Sequence, residues 1–309
     1  MTPRTYRADA LLLLAALIWG TGFVAQRLGM ESVGPMLFNA LRFTIGALVL
    51  LPWAIRAQRF EVSTHRTRDS LNAGLLAGGV LFIAAGLQQA GLLWTSVANA
   101  GFITGLYVLF VPLLGLLASH RTPTGTWTGA ILAVVGLYFL SVTEDLAVSL
   151  GDGLQLLGAV FWAVHVLVLG RYSRRVPVIT LACVQFAVCA LLSLAAALVF
   201  EPISLAGIGA AMDAVLYSGL LAVGVGYTLQ VVGQRNAPAA HAAILLSLEA
   251  VFAALAGWIV LNEGLSWRGV LGGALMLAGM LIAQLAPLLT RRRLRAQGLP
   301  AEQGRETVE

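Results

Sequence analysis

Apolar residues in this chain come in long, nearly unbroken runs, separated by short polar clusters. Neither the period-2 alternation of a half-buried strand nor the narrow stripe of a soluble amphipathic helix is sustained. A bilayer core of about 30 Å takes roughly 20 apolar residues of helix. Ten runs fit that requirement: 9–28, 35–54, 71–92, 95–118, 126–143, 152–171, 178–200, 212–234, 238–261 and 267–288. The connections are short, so almost all of the mass is expected within the membrane and no extramembrane catalytic domain has room to form. The first run follows Arg4 and Arg7 and has the look of a secretion signal. It takes part in the repeat described next and is therefore read as a span.

The runs repeat. Sliding the chain by about 143 residues lays Ala-Ala-Leu-Ile-Trp-Gly (15–20) over Gly-Ala-Val-Phe-Trp-Ala (158–163), so that Trp19 meets Trp162. Leu41-Arg42-Phe43 falls over Val184-Gln185-Phe186, and Leu87-Gln88 over Leu229-Gln230. Asn99-Ala100-Gly101 falls over His241-Ala242-Ala243, which sets Tyr107 over Glu249. Gly129 and Gly136 fall over Gly272 and Gly279. The order of these matches over five consecutive spans carries the argument. Five is odd, so the second half is expected to enter the membrane in the opposite sense. Inverted repeats typify secondary transporters, whose solute site lies near mid-membrane between the halves. The expected organisation is a first five-helix repeat over 1–146, an inverted repeat over 147–288, and a disordered Arg-rich tail over 289–309. The fold class is all-α and polytopic.

Charge then sets the orientation. With the N-terminus in the cytoplasm, sixteen arginines fall inside, in loops and tails from Arg4 to Arg305. Arg27 and Arg268 fall outside, and Arg42 is left within a span. Such a bias follows the positive-inside rule and places both termini in the cytoplasm of a bacterial-type cell with the chain in its inner membrane. Trp53, Trp94, Trp127, Trp258 and Trp267 stand at span ends, as an interfacial aromatic belt would.

At this point the residues resemble the EamA-type members of the drug/metabolite transporter superfamily. The resemblance covers about residues 9–285. It is carried by Leu17-Ile18-Trp19-Gly20, by Leu41-Arg42-Phe43, and by Gly101-Phe102-Ile103-Thr104-Gly105-Leu106-Tyr107-Val108 with Val111-Pro112-Leu113. Leu248-Glu249-Ala250-Val251-Phe252 and the spacing from Leu261-Asn262-Glu263 to Gly272 add to it. Within the superfamily the chain is most similar to the YddG-like exporters of aromatic amino acids. The resemblance implies ten helices in two inverted repeats and export of small metabolites by alternating access. Two positions depart from the family pattern: Ala250 stands where Pro is common, and His120 where Glu is common.

Composition sharpens this picture. The chain of 309 residues is 59 % hydrophobic and only 11 % charged, against about 25 % charged in soluble proteins. All 19 basic residues are Arg. Without Lys there is no Walker A loop and no Schiff-base chemistry through a side-chain amine. Cys183 and Cys189 read as buried apolar residues. No metal-ligand spacing and no catalytic triad or carboxylate pair appears, so neither cofactor nor metal nor enzymatic activity is expected. The expected partners are a small solute and the bilayer, with protons as a candidate coupling ion and no nucleic acid. A monomer is expected.

Polar side chains inside a membrane face the bundle interior or a water-filled path. Arg42 and Glu249 are the fully charged residues placed well inside spans. Arg42 suits a carboxylate, and Glu249 a cation or a proton. Together they could clamp a zwitterion; a structural pairing with each other is the plainer reading. Trp19, Trp162, Tyr107 and Tyr227 could wall an aromatic solute, and Trp19, Phe23 and Gln26 share one face. Gln88, Gln185 and Gln230 could bond a solute or hold helices together. His165 could relay protons. Asn99 and His241 occupy matching positions suited to gates. Pro112, deep in the fourth span, should kink it and serve as a hinge; its repeat partner, Ala254, cannot. Carriers of nucleotide sugars or cationic drugs share this architecture, but a cavity with one arginine is a poor match for phosphate. A membrane enzyme or assembly factor is the rival from another class.

Overall fold

The computed structural model describes residues 3–59, 64–116, 124–141, 149–237, 239–264 and 266–296. Among them the chain is helical, with no strand. The elements are α1 (Pro3–Gly29), α2 (Pro35–Arg59), α3 (Thr64–Gly91), α4 (Val97–Gly105), α5 (Tyr107–Leu116), α6 (Thr124–Ser141), α7 (Leu150–Tyr172) and α8 (Val178–Phe200). There follow α9 (Leu205–Ala210), α10 (Met212–Leu216), a π-helical stretch π1 (Tyr217–Tyr227), α11 (Thr228–Gln234), α12 (Ala239–Ser247), α13 (Glu249–Leu261) and α14 (Trp267–Ala296). α14 runs as helix to Ala296, past the expected span end at 288. His120 and Arg121 lie outside the described residues.

Among the described residues, seven helical segments are long and apolar enough to cross a membrane: Arg7–Gly29, Pro35–Ala57, Arg68–Gly91, Val97–Gly115, Leu150–Tyr172, Val178–Phe200 and Met212–Gln234. Trp127–Phe139, Leu245–Leu261 and Trp267–Ile282 are shorter apolar helices. The outer surface is strongly apolar, with Leu191, Leu198, Val199, Phe200 and Ile259 all exposed. Water would not tolerate so large an apolar face on a monomer, and lipid does. The five tryptophans expected at span ends are exposed, whereas Trp162 is buried.

Small residues set the packing. α6 lies along α14 in the antiparallel sense. A Cβ on Gly136 would stand 2.6 Å from the Gly272 carbonyl oxygen, and one on Gly279 would stand 2.5 Å from that of Gly129. α2 runs antiparallel to α8. The Glu201 carboxylate, just past α8, accepts from the backbone N–H groups of Met36 and Leu37 at 2.7 and 2.8 Å. Cys183, near the start of α8, reaches the Ala47 carbonyl further along α2. Glu201 thereby occupies the free N–H groups and the positive dipole end of α2. Glu263 does the same for α4, accepting from Val97 N–H at 2.9 Å. α3 packs on α7, and α1 on the segment α10–π1–α11.

Two helix breaks fall at corresponding places. α4 gives way to α5 at Leu106, with φ −62° and ψ −14°. α12 gives way to α13 at Leu248, with φ −63° and ψ −12°. Pro112 was expected to bend the fourth span, but the break comes six residues before it, and Pro112 lies within α5. The same break occurs in the second half, where Ala254 stands in the place of Pro112, so proline is not its cause. Tyr107 and Glu249 are each the first residue after a break. The breaks bring these two side chains to the middle of the bundle.

Candidate functional site

A small cavity sits where the broken helices meet α1, α2, α3, α7 and π1. It is lined by Trp19, Phe23, Gln26, Arg42, Gln88, Thr104, Tyr107, Trp162, Val166, Ala222, Tyr227, Gln230 and Glu249. About 30 Å³ is open to the centre of a water molecule, room for roughly two waters. A solute pocket is usually ten times larger or more. In this conformation the site is therefore nearly closed, and its side chains must part to admit a metabolite.

Aromatic rings form one wall. Tyr227 lies between two indoles: its ring centroid is 4.6 Å from that of Trp19 and 6.0 Å from that of Trp162, the latter nearly parallel at 19°. Phe43 and Phe186 complete the cluster behind it. The Trp19 Nε1–H donates to the Ala222 carbonyl at 2.9 Å. Gly226 permits this approach, because a Cβ there would stand 2.5 Å from Nε1. Two residues further along α1, the Thr21 and Tyr217 hydroxyls bond at 2.7 Å.

The charged pair does not pair. Arg42 and Glu249 both line the cavity and both are buried, yet no ion pair joins them. The Arg42 Nε donates to Asn39 Oδ1 at 2.9 Å, and its guanidinium lies over the Phe43 ring at 4.9 Å. Its Nη2 has no hydrogen-bond partner in the protein. The Tyr107 hydroxyl stands against the Glu249 carboxylate. Trp162 Nε1, Gln26 Oε1 and Gln230 Oε1 likewise have no partner. Four buried polar atoms, Arg42 Nη2 among them, thus converge on one cavity without partners among the described residues. Each such atom costs about 1–3 kcal/mol when left unsatisfied, so something hydrogen-bonding is expected among them.

Of the residues read from the sequence as solute contacts, Trp19, Arg42, Gln88, Tyr107, Trp162, Tyr227, Gln230 and Glu249 line the cavity. His165 and Gln185 do not. They bond each other at 3.0 Å behind the aromatic wall, where His165 meets Trp162 and Tyr227 edge-on. Gln88 is tied into a buried triangle. Its Nε2 donates to Thr104, Thr104 donates to Gln155, and Gln155 donates to the Gln88 carbonyl, at 3.2, 3.2 and 2.8 Å. Asn99 stands in the first turn of α4, with its N–H on the Ser96 hydroxyl, and is not a lining residue. His241 belongs to α12; its side chain lies outside those described. Thr104, Val166 and Ala222 line the cavity without having been singled out.

A profile of the EamA-like transporter family matches residues 6–142 and, a second time, 149–284. The chain belongs to this family. It is a multi-pass membrane protein, and its two family units are offset by the repeat length seen in the sequence. Among its relatives is an "Uncharacterized transporter" of Archaeoglobus fulgidus, 32 % identical over 279 residues, covering 90 % of this chain and 86 % of the relative. The threonine/homoserine exporter RhtA of Escherichia coli is 30 % identical over 285 residues, covering 87 % of this chain and 88 % of the exporter. A solved structure that is 22 % identical superposes with a TM-score of 0.70, covering 93 % of this chain and 98 % of the other. That likeness bears on the fold alone.

Proposed function

We propose that this chain exports small zwitterionic metabolites across the inner membrane, amino acids with apolar or aromatic side chains foremost, by alternating access around the central cavity. The carrying observation is the uncompensated pair. A cation and an acid share one cavity without touching, beside aromatic walls and orphan polar atoms. An amino acid supplies what is missing: a carboxylate for Arg42 and Trp162, an ammonium for Glu249 and the glutamine oxygens, and a side chain for the indoles.

In the same reading the ten apolar runs are ten spans in two inverted repeats, with both termini cytoplasmic. The antiparallel packing of repeat-equivalent helices, α2 on α8 and α6 on α14, supports the inversion. Asn99 and His241 act at the gates and Pro112 adjusts α5 as a hinge. The transporter works as a monomer, with or without proton coupling. Similarity to RhtA favours a second reading, in which small hydroxylated amino acids are the cargo.

Counterflow into proteoliposomes, with labelled phenylalanine, tryptophan, threonine and homoserine, tests both readings. Wild type should exchange at least one of them. Arg42→Ala and Glu249→Gln should each lower exchange about tenfold or more, the loss of one charge-assisted bond. Unchanged exchange in both variants refutes the clamp, and failure of all four amino acids in wild type refutes the amino acid reading.

A further inference from the structure

Arg42 is a buried cation whose direct contacts are an amide and two aromatic rings. The residue is 2 % exposed, and among the described residues no acid pairs with it. The Phe43 and Phe38 rings flank the guanidinium, at 4.9 and 5.8 Å from Cζ. A bare guanidinium at such depth is costly unless a partner completes it. The residue that holds it is Asn39, fully buried and one turn earlier on α2. Asn39 Oδ1 accepts from Arg42 Nε at 2.9 Å, while Asn39 Nδ2 donates to the Ala85 carbonyl of α3 at 3.1 Å. That second bond fixes the amide. A carbonyl can only accept, so Nδ2 must face Ala85 and Oδ1 must face the arginine. The cation is thus braced through a neutral group onto α3, with Nη2 left for the cavity.

We infer that Asn39 is a positioning residue for solute selection: it orients Arg42 without neutralising it, and this makes a carboxylate group a requirement of the solute. The inference rests on the amino acid reading of the cavity. An aspartate at this position would have nearly the same shape and reach the same Nε. It would cancel the guanidinium charge and set a carboxylate oxygen against the Ala85 carbonyl. Only Glu249 would then face the solute with a net charge, and the cavity would select amines.

Binding of a matched set to the purified full chain in nanodiscs tests this: phenylalanine, 3-phenylpropionate, which lacks the ammonium, and phenethylamine, which lacks the carboxylate. Asn39→Asp should weaken phenylalanine and 3-phenylpropionate by about tenfold or more, the worth of one charge-assisted bond. Phenethylamine should bind as in wild type or more tightly. Asn39→Ala keeps the charge and loses the brace. It should weaken both carboxylates severalfold without favouring the amine, and it carries the test if the aspartate variant does not fold. A merely structural role would weaken all three ligands in equal proportion, and that result overturns the inference. So does an unchanged preference in both variants. If wild type binds none of the three, the amino acid reading falls, and this inference with it.

Discussion

Two seams occupy equivalent places in the two halves, yet they are closed by different chemistry. In one, α7 lies on α3, a regular α-helix. In the other, α1 lies on α10–π1–α11, where eleven residues widen into a π-helix. The backbone plan is shared: Gly91 touches Gln155 in the first seam, as Gly233 touches Leu12 in the second. Those pairs are repeat partners, 142 or 143 residues apart, and their difference decides the rest. The amide triangle of Gln88, Thr104 and Gln155 needs three polar side chains. The equivalent places of the second seam hold Gln230, Leu246 and Leu12, so no triangle can close, and Gln230 keeps a free oxygen in the cavity. The indoles show the reverse. Trp19 is satisfied by Ala222 across π1, where Gly226 lets the ring approach. α3 carries Ala84 in the place of Gly226, and the partner indole, Trp162, keeps a free N–H. Each seam therefore spends one polar group as a fastener and leaves the other free. An acceptor comes from one side and a donor from the other, which suits a solute with both kinds of group.

The largest effect should come from crowding the tighter seam. A Cβ on Gly151 would stand 2.6 Å from the Gly91 carbonyl oxygen and 2.7 Å from the Trp94 carbonyl carbon. These are backbone atoms with no room to turn away. Gly151→Ala should cost about 3 kcal/mol, the upper end for overpacking, read as a lower midpoint of SDS-induced unfolding. The repeat partner, Ala8, already carries a methyl group and is buried. Ala8→Gly should cost no more than about 1 kcal/mol. Equal costs would mean that the seams are equally tight.

A middle effect is expected from Gln155→Leu, which gives the first seam the residue of the second. Two buried hydrogen bonds are lost, and at about 1 kcal/mol each the unfolding free energy should fall by about 2 kcal/mol. The Thr104 hydroxyl would lose its acceptor, while the Gln88 Nε2 bond to Thr104 would remain. No loss of stability would show that the triangle is not a fastener.

Much of this was readable one residue at a time. A polar side chain in an apolar run is expensive, so its presence alone points to the bundle interior, and that reasoning found Arg42, Glu249 and the glutamines. Trp19 and Trp162 were legible because they sit far from the interfaces where tryptophan is ordinary. Pairing was not legible. His165 and Gln185 are 20 residues apart and meet only because the chain reverses direction between α7 and α8. Thr104, Val166 and Ala222 carry no signal of their own in an apolar run. π1 was missed as well, though Gly219, Gly224 and Gly226 mark the place. Pro112 pointed to a kink whose real position, Leu106, is set by a backbone plan that the second half repeats without proline.

The smallest effects on stability divide the two indoles. Trp19→Phe keeps a ring but removes the donor to the Ala222 carbonyl, and should cost about 1 kcal/mol. Amides of π1 should then exchange with deuterium faster, while those of α3 hold, because the latch belongs to one seam. Trp162→Phe removes an N–H that bonds nothing in the protein. Deleting an unsatisfied buried donor removes its desolvation penalty, so stability should hold within about 1 kcal/mol or rise. Solute affinity should divide the other way, with the larger loss at Trp162, whose donor is the one left facing the cavity. If Trp162→Phe proves the more destabilising and the less harmful to binding, the roles assigned to the two seams are reversed.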